Sequence, residues 1–509
     1  MDVTFKNSKD GNLTCTKGNI SLHSSFNPVK EAERFVESIS SSFLPSYIVM
    51  TGSCLGYASS FLRQRFPAAK LVSIQYSKSF AEYDDKWDKA FVLDEDSDAK
   101  LLEEELFSVI GEEKLFSTLF ISWKPSEKAW PDLASSLWKS FKELLSKAES
   151  IISTRNYFNK RWFINSVKFF IKTQKICLPQ KTDKPIIVTA SGPSLASAMP
   201  FLKENRDAYI LLSASSSLLP LLENDIIPDF CISTDGGWWA KKHLEPLLRK
   251  NISIPLIIPP EAASPGAILS NIPIVPLNYG DFPGSLFFQA TDMPYVMGER
   301  NGTVSGTAAV LALSMTSGNV FFCGLDLSVS KQYQHTQPNA LEIINSQKDD
   351  RLHPLETRCA SSSFSGSASL SIYRNWFATR GDSFYKRVFR LVTANDNLEQ
   401  IPHLQDIFID KNTSSLFQNI SLNKSCERKE ITLDTGKNES EVFQMLKKIK
   451  DEIETKPETP YNYEWYKMAA LKDVIQAERT GDKTVLDDIH KKTIQFLDEA
   501  ISKTSRTEN

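Results

Sequence analysis

Residues 186–202 read IIVTASGPSLASAMPFL: a β-branched run, a turn of small residues, then apolar positions at helical spacing. That is half of a strand-to-strand crossover, and its repetition decides the fold. Downstream, "AYILLSA", "DFCISTD", "PLIIPP", "IPIVPL" and "NVFFCGLD" are further short apolar strands, several of them separated by helical patterns. Upstream, "SYIVMTGSCLGYASSFLRQRF", "KLVSIQYS" and "KAFVLDE" show the same alternation. Alternating β and α implies parallel sheets covered by helices. The expected class is α/β, with two open Rossmann-like parallel-sheet domains followed by a helical C-terminal module. The boundaries read as 1–125 for the first domain, 126–184 for a helical connector, 185–410 for the central domain and 411–509 for the helical end. In the last, Val442, Phe443, Met445, Leu446, Ile449 and Ile453 form one apolar stripe.

Composition excludes several function classes. The 59 basic and 62 acidic residues leave a formal charge of -3, so no global field draws the chain onto nucleic acid or an anionic membrane. Seven scattered cysteines (Cys15, Cys54, Cys177, Cys231, Cys323, Cys359, Cys426) form no C-x-x-C pair and no zinc spacing. Reduced thiols and a start without an apolar core predict a cytoplasmic protein without a signal peptide. No window approaches the roughly 20 apolar residues of a membrane span.

In an open α/β sheet, ligands lie beyond the carboxyl ends of the strands. There Gly192 removes a side chain, Pro193 fixes the turn, and Ser194 offers a hydroxyl beside helix N-terminal amides, a pattern suited to a phosphate-sized anion. Neither a P-loop nor a G-x-G-x-x-G fingerprint is present, and turn geometry alone also calls for these residues. "GERNGTVSGTAAVLALSM" gathers Thr303, Ser305, Gly306 and Thr307 at a second helix start, where close packing also explains Ala308 and Ala309. Asp235 and Asp326 each follow a strand; ribose, metal and loop-capping roles stay open for Asp235, and capping suits Asp326. His335, with Tyr333 nearby, stands on a polar loop beyond a strand end and fits a proton acceptor. His243, at an aromatic helix start, and His353, before a proline, rank below it.

These blocks resemble the motility-associated factor (Maf) glycosyltransferases, whose middle region is a 6-hydroxymethylpterin-pyrophosphokinase-like (MptE-like) domain. "HSSFNPVKEAERF" with "VMTGSCLGY", "RNYFNKRWFINSVKFF", "ASGPSL", "SASSSLLPLLENDIIPDFCISTD", "NGTVSGTAAVLAL", "FFCGLDLSVSKQYQHT" and "LSIYRNWFATR" match the family's blocks in order. The resemblance implies transfer of a nonulosonic acid, of pseudaminic or legionaminic type, from a CMP-sugar to flagellin Ser or Thr, by a central domain similar to bacterial sialyltransferases. It carries Gly192, Pro193, Ser194, Ser305 and Gly306 onto the nucleotide-sugar site; the reading of the residues adds Ser191, Asp235, Thr303, Thr307, Asp326 and Tyr333 to the donor-binding set and gives His335 as the base. The chain departs from the family at "QHTQPNALE" and at Ser191. The donor sugar would be a substrate rather than a bound cofactor, with no metal ligand assigned and divalent-metal dependence open. Two other readings stand beside it: an MptE-type pyrophosphokinase, and a non-catalytic flagellin-binding or chaperone-like protein.

Overall fold

The computed structural model describes residues 3–94, 97, 99–328, 333–396, 398–410, 413, 428–455 and 460–505. Cys426 lies outside them. The chain divides into two compact units, residues 1–159 with 452–496, and residues 160–451 with 497–509.

In the first unit, β1 (Val3–Asn7), β2 (Leu13–Lys17) and β3 (Ile20–Ser21) form a small antiparallel sheet. A parallel sheet follows, ordered β6-β5-β4-β7, from β4 (Tyr47–Thr51), β5 (Lys70–Gln75), β6 (Lys89–Val92) and β7 (Thr118–Ser122). The alternating pattern anticipated β4 to β6; β7, "TLFIS", is short and half-buried and gives little apolar contrast.

The second unit is built on β8 (Lys175–Pro179), β9 (Ile186–Thr189), β10 (Ile210–Ala214), β11 (Phe230–Ile232), β12 (Leu256–Ile258), β13 (Ile274–Asn278), β14 (Val296–Met297), β15 (Val320–Cys323), β16 (Val388–Val392), β17 (Gln405–Phe408) and β18 (Arg428–Thr432). The order is β17-β16-β15-β9-β10-β11-β12-β13-β8-β18, with β14 beside β13; all pairs are parallel except β18 on β8. Every residue of β9 is buried, which is why it reads as an unbroken apolar run. Its alternate side chains serve two cores. Ile186 and Val188 pack with helix Val304–Met315 on one face, while Ile187 packs with helix Leu195–Glu204 on the other. Helix Val304–Met315 comes close because Ala308, Ala309 and Ala312 are small and fully buried, which agrees with the packing reading of Ala308 and Ala309.

The units cut the chain differently from the boundaries read in the sequence. The connector's residues 126–159 belong to the first unit and 160–184 to the second, within one helix Pro131–Lys172 that runs through the change. Strand β8 falls inside the expected connector and β18 inside the expected helical end, yet both extend the central sheet. Among the described residues, no helix is long and apolar enough to cross a membrane.

Candidate functional site

Strands β9 to β13 follow one another across the sheet, and the chain then returns through helix Val304–Met315 to place β15 on the other side of β9. The order therefore reverses between β9 and β15, and the carboxyl ends of that pair form the crevice where open α/β sheets take ligands. Gly192 and Gly324 meet there. The Gly192 amide donates to Gly324 O at 2.8 Å, and a Cβ on Gly192 would stand 2.4 Å from Asp326 Cγ and 2.6 Å from Gly324 O. Gly324 has φ +71° and would bring its own Cβ to 2.7 Å from Ala190 O, so glycine is required twice over.

The close neighbour of the small-residue turn is the chain's own carboxylate. Asp326 accepts from the Ser194 amide at 3.0 Å and from the Ser194 hydroxyl, and both residues are buried. Burial raises the Asp326 pKa and these hydrogen bonds oppose it. The remaining amides of the turn are also engaged: Leu195 donates to Gly192 O, Ala196 to Pro193 O and Ser197 to Ser194 O. The helix begins at Leu195, so Pro193 sits two residues before it rather than at its first position. Arg390, fully buried, pairs with Asp406 at 2.7 Å and donates to Leu325 O at 3.2 Å, which fixes the Gly324–Asp326 corner.

A loop closes over this corner. Thr336 donates its amide to Ser191 O at 2.8 Å and its hydroxyl to Gly192 O. That holds His335 at the crevice, with Tyr333 half-buried two residues before it. His335 is solvent-exposed on one side, and the crowding of its ring lowers its pKa against the pull of Glu342. His243, passed over in the sequence, is brought within electrostatic reach of it. Desolvation first, and His335 second, lower the His243 pKa to about 4. Both shifts favour the neutral imidazole over the imidazolium.

The second helix start differs. Thr303 caps it, accepting from the Ser305 amide at 3.3 Å, and Thr307 donates its hydroxyl to Glu299 O at 3.2 Å. Among the described residues, the Ser305 hydroxyl and the Gly306 amide have no hydrogen-bond partner. Beside this start lies a charged group at the ends of β12 to β14 that sequence reasoning did not single out. Arg300 pairs with Glu261 at 2.7 Å and Asp281 at 2.8 Å, and stacks 4.4 Å from the Tyr279 ring centre. Burial raises the Glu261 pKa despite Arg300. Its signal was available, since Glu261 directly follows the apolar run "PLIIPP" at a strand end. Asp235 is exposed and turned onto its own loop, accepting from the Gly237 amide at 2.7 Å.

The structure thus brings Ser191, Gly192, Ser194, Asp326 and the His335 loop together, and sets Thr303, Ser305, Gly306 and Thr307 on the opposite face of the same edge. A groove of about 1130 Å³, lined by Thr182, Leu311, Met315 and Thr316 among others, lies largely at the amino ends of β9 and β15, away from this chemistry.

Residues 160–332 match the family described as 6-hydroxymethylpterin diphosphokinase MptE-like. Two uncharacterized proteins of Treponema pallidum (strain Nichols) are similar. One is 32% identical over 303 residues, 59% of this chain; the other is 25% identical over 225 residues, 42% of this chain. The chain spans 66% and 38% of their respective lengths. A solved structure, that of a Maf glycosyltransferase from Magnetospirillum magneticum AMB-1, matches with a TM-score of 0.53 at 12% identity, over 99% of this chain and 91% of that one.

Proposed function

Since an MptE-like domain here sits within a fold shared end to end with a Maf glycosyltransferase, we propose that the chain is a nucleotide-sugar-dependent protein O-glycosyltransferase. Its donor is a CMP-linked nonulosonic acid of pseudaminic or legionaminic type, its acceptor a flagellin Ser or Thr, and its role is in flagellum assembly and motility, in the cytoplasm. The observation that carries this reading is the His335 loop, bound by Thr336 across the carboxyl end of β9, at the same sheet edge where helix Val304–Met315 starts.

The chemistry needs little beyond these groups. The acceptor hydroxyl attacks the anomeric carbon while the bond from that carbon to the phosphate oxygen breaks. CMP leaves with the electron pair, and the hydroxyl proton passes to the neutral His335 imidazole. The Ser305 hydroxyl and Gly306 amide steady the phosphate as its charge grows. No nucleophilic side chain is required. The MptE-like match favours a second reading, diphosphoryl transfer to a pterin alcohol.

Intact-mass measurement of flagellin from cells with and without the protein tests the proposal, and a sugar-sized difference is expected. His335→Asn should lower transfer by about a hundredfold to ten-thousandfold and spare CMP binding. Unmodified flagellin in both strains, with ATP-dependent pyrophosphorylation of 6-hydroxymethylpterin by the purified chain, would replace it with the second reading.

A further inference from the structure

The peptide group that joins His335 to Thr336 is gripped at both ends. The Thr336 amide donates to Ser191 O at 2.8 Å, and the His335 carbonyl accepts from the Gln337 side-chain amide at 3.0 Å. A peptide group is planar, so fixing its two ends fixes the backbone from which the imidazole hangs. Thr336 then adds a third point. Its side chain is buried, and its hydroxyl donates to Gly192 O, an atom that also accepts from the Leu195 amide at 3.0 Å. Both lone pairs of that oxygen are thereby taken, one by the start of helix Leu195–Glu204 and one by the loop.

The far end of the loop is pinned separately. Asn339, also buried, donates its side-chain amide to Ser216 O at 3.4 Å. Its side-chain oxygen accepts from the Leu341 and Glu342 amides at 3.0 and 3.3 Å and so caps helix Ala340–Asn345. Ser216 follows β10, and its neighbour Ser217 donates to Thr189 O at 2.9 Å, which carries this anchor to the end of β9. Connecting loops usually keep their polar side chains in water. Here two of them turn inward and give their donors to backbone carbonyls beyond the strand ends, while His335 and Gln337 stay exposed.

We propose that Thr336, supported by Gln337, is the positioning residue for the general base. Its two hydrogen bonds set where the His335 imidazole stands relative to the acceptor hydroxyl, and it touches neither substrate. The proposal rests on the transferase reading, in which His335 takes the acceptor proton. Moving a reacting group by about 1 Å can cost about a hundredfold in rate, and nothing in that displacement weakens the hold on the donor. The loss therefore belongs in kcat and not in KM.

Thr336→Val keeps the shape of the side chain and removes the hydroxyl, whereas Thr336→Ser keeps the hydroxyl. With the full chain, purified flagellin and CMP-linked pseudaminic or legionaminic acid, Thr336→Val should lower kcat about tenfold to a hundredfold, with the donor KM and CMP affinity unchanged. Thr336→Ser should restore it to within about threefold, and Gln337→Ala, at an exposed position, should lower it about fivefold. Imidazole NMR of the full chain without substrate gives a second reading. Six histidines give six Cε1–H signals, and His335→Asn identifies the one to follow. That signal should shift or broaden in Thr336→Val and Gln337→Ala and return in Thr336→Ser. A loss of turnover that Thr336→Ser does not restore, or an equal loss of CMP affinity, would overturn the proposal. If the parent chain modifies flagellin and neither turnover nor the His335 signal responds to Thr336→Val or Gln337→Ala, the positioning role falls and the transferase reading stands. If the signal responds in a chain that leaves flagellin unmodified, the hold on His335 stands and the transferase reading falls.

Discussion

The helices that start at Leu195 and at Val304 begin at the same edge of one sheet, on opposite faces, and their free ends are treated in opposite ways. At Leu195 the chain satisfies its own helix start: Asp326 takes the Ser194 donors, and the amides that follow turn back on the turn. At Val304 Thr303 acts as a cap, and among the described residues a hydroxyl and an amide are left without hydrogen-bond partners. The same composition of Gly, Ser and Thr therefore produces a locked corner in one place and an open one in the other. What separates them is a carboxylate 132 positions away in the chain, which no local pattern reports.

The largest expected effect tests the locked corner. Gly192→Val places a branched side chain against Asp326 and the Gly324 carbonyl, neither of which is a flexible tip, and should destabilise the second unit by about 3 kcal/mol in urea unfolding. Unchanged stability would mean that the corner opens readily, and the contrast between the two starts would fail. A smaller effect comes from acid. The His243 pKa is depressed in the fold, so its contribution is present above about pH 6.5 and is lost as the pH falls towards about 4. Allowing for its partly open surface, about 2 kcal/mol should disappear over that window, and His243→Gln should flatten the dependence. The smallest effect belongs to the open start. Ser305→Ala should change stability by less than about 0.5 kcal/mol because the hydroxyl holds nothing in the fold, while CMP affinity should drop about fivefold. A marked loss of stability with full CMP affinity would turn this start into a packing feature like its neighbours Ala308 and Ala309.

These two helix starts also mark how far the sequence could be read. Strands such as β9 and β10, buried on both faces, announce themselves as apolar runs, and six strands of the central sheet follow from that alone. Strands β16, β17 and β18 carry arginines and acids, as in "VFRLV" and "RKEIT", because they approach the sheet's margins or pair with a buried partner through Arg390 and Asp406. Their charges hide the pattern. Within the site, residues that follow a strand were legible from topology, hence His335, Asp235 and the two helix starts. The electrostatic approach of His335 to His243 was not, because it depends on how the loop at 333–339 folds back over β9, held by two hydrogen bonds from Thr336. The role of Asp326 was legible in kind, as a cap, and not in its partner.

The strand order carries a consequence for how the molecule is made. As the chain emerges from the ribosome, β9 to β13 can each add beside the strand before it, and β15, β16 and β17 then add outward from the other side of β9. Among the described residues, no strand has to force its way between two that are already paired. Strand β8 is the exception in timing: synthesised first, it waits for β13, and its outer edge stays bare until β18 arrives near residue 430. The backbone N–H and C=O groups along that side of β8 therefore wait for a partner until late in synthesis, and the polar, charged β18 that pairs with them acts as a late seal against a neighbouring nascent chain.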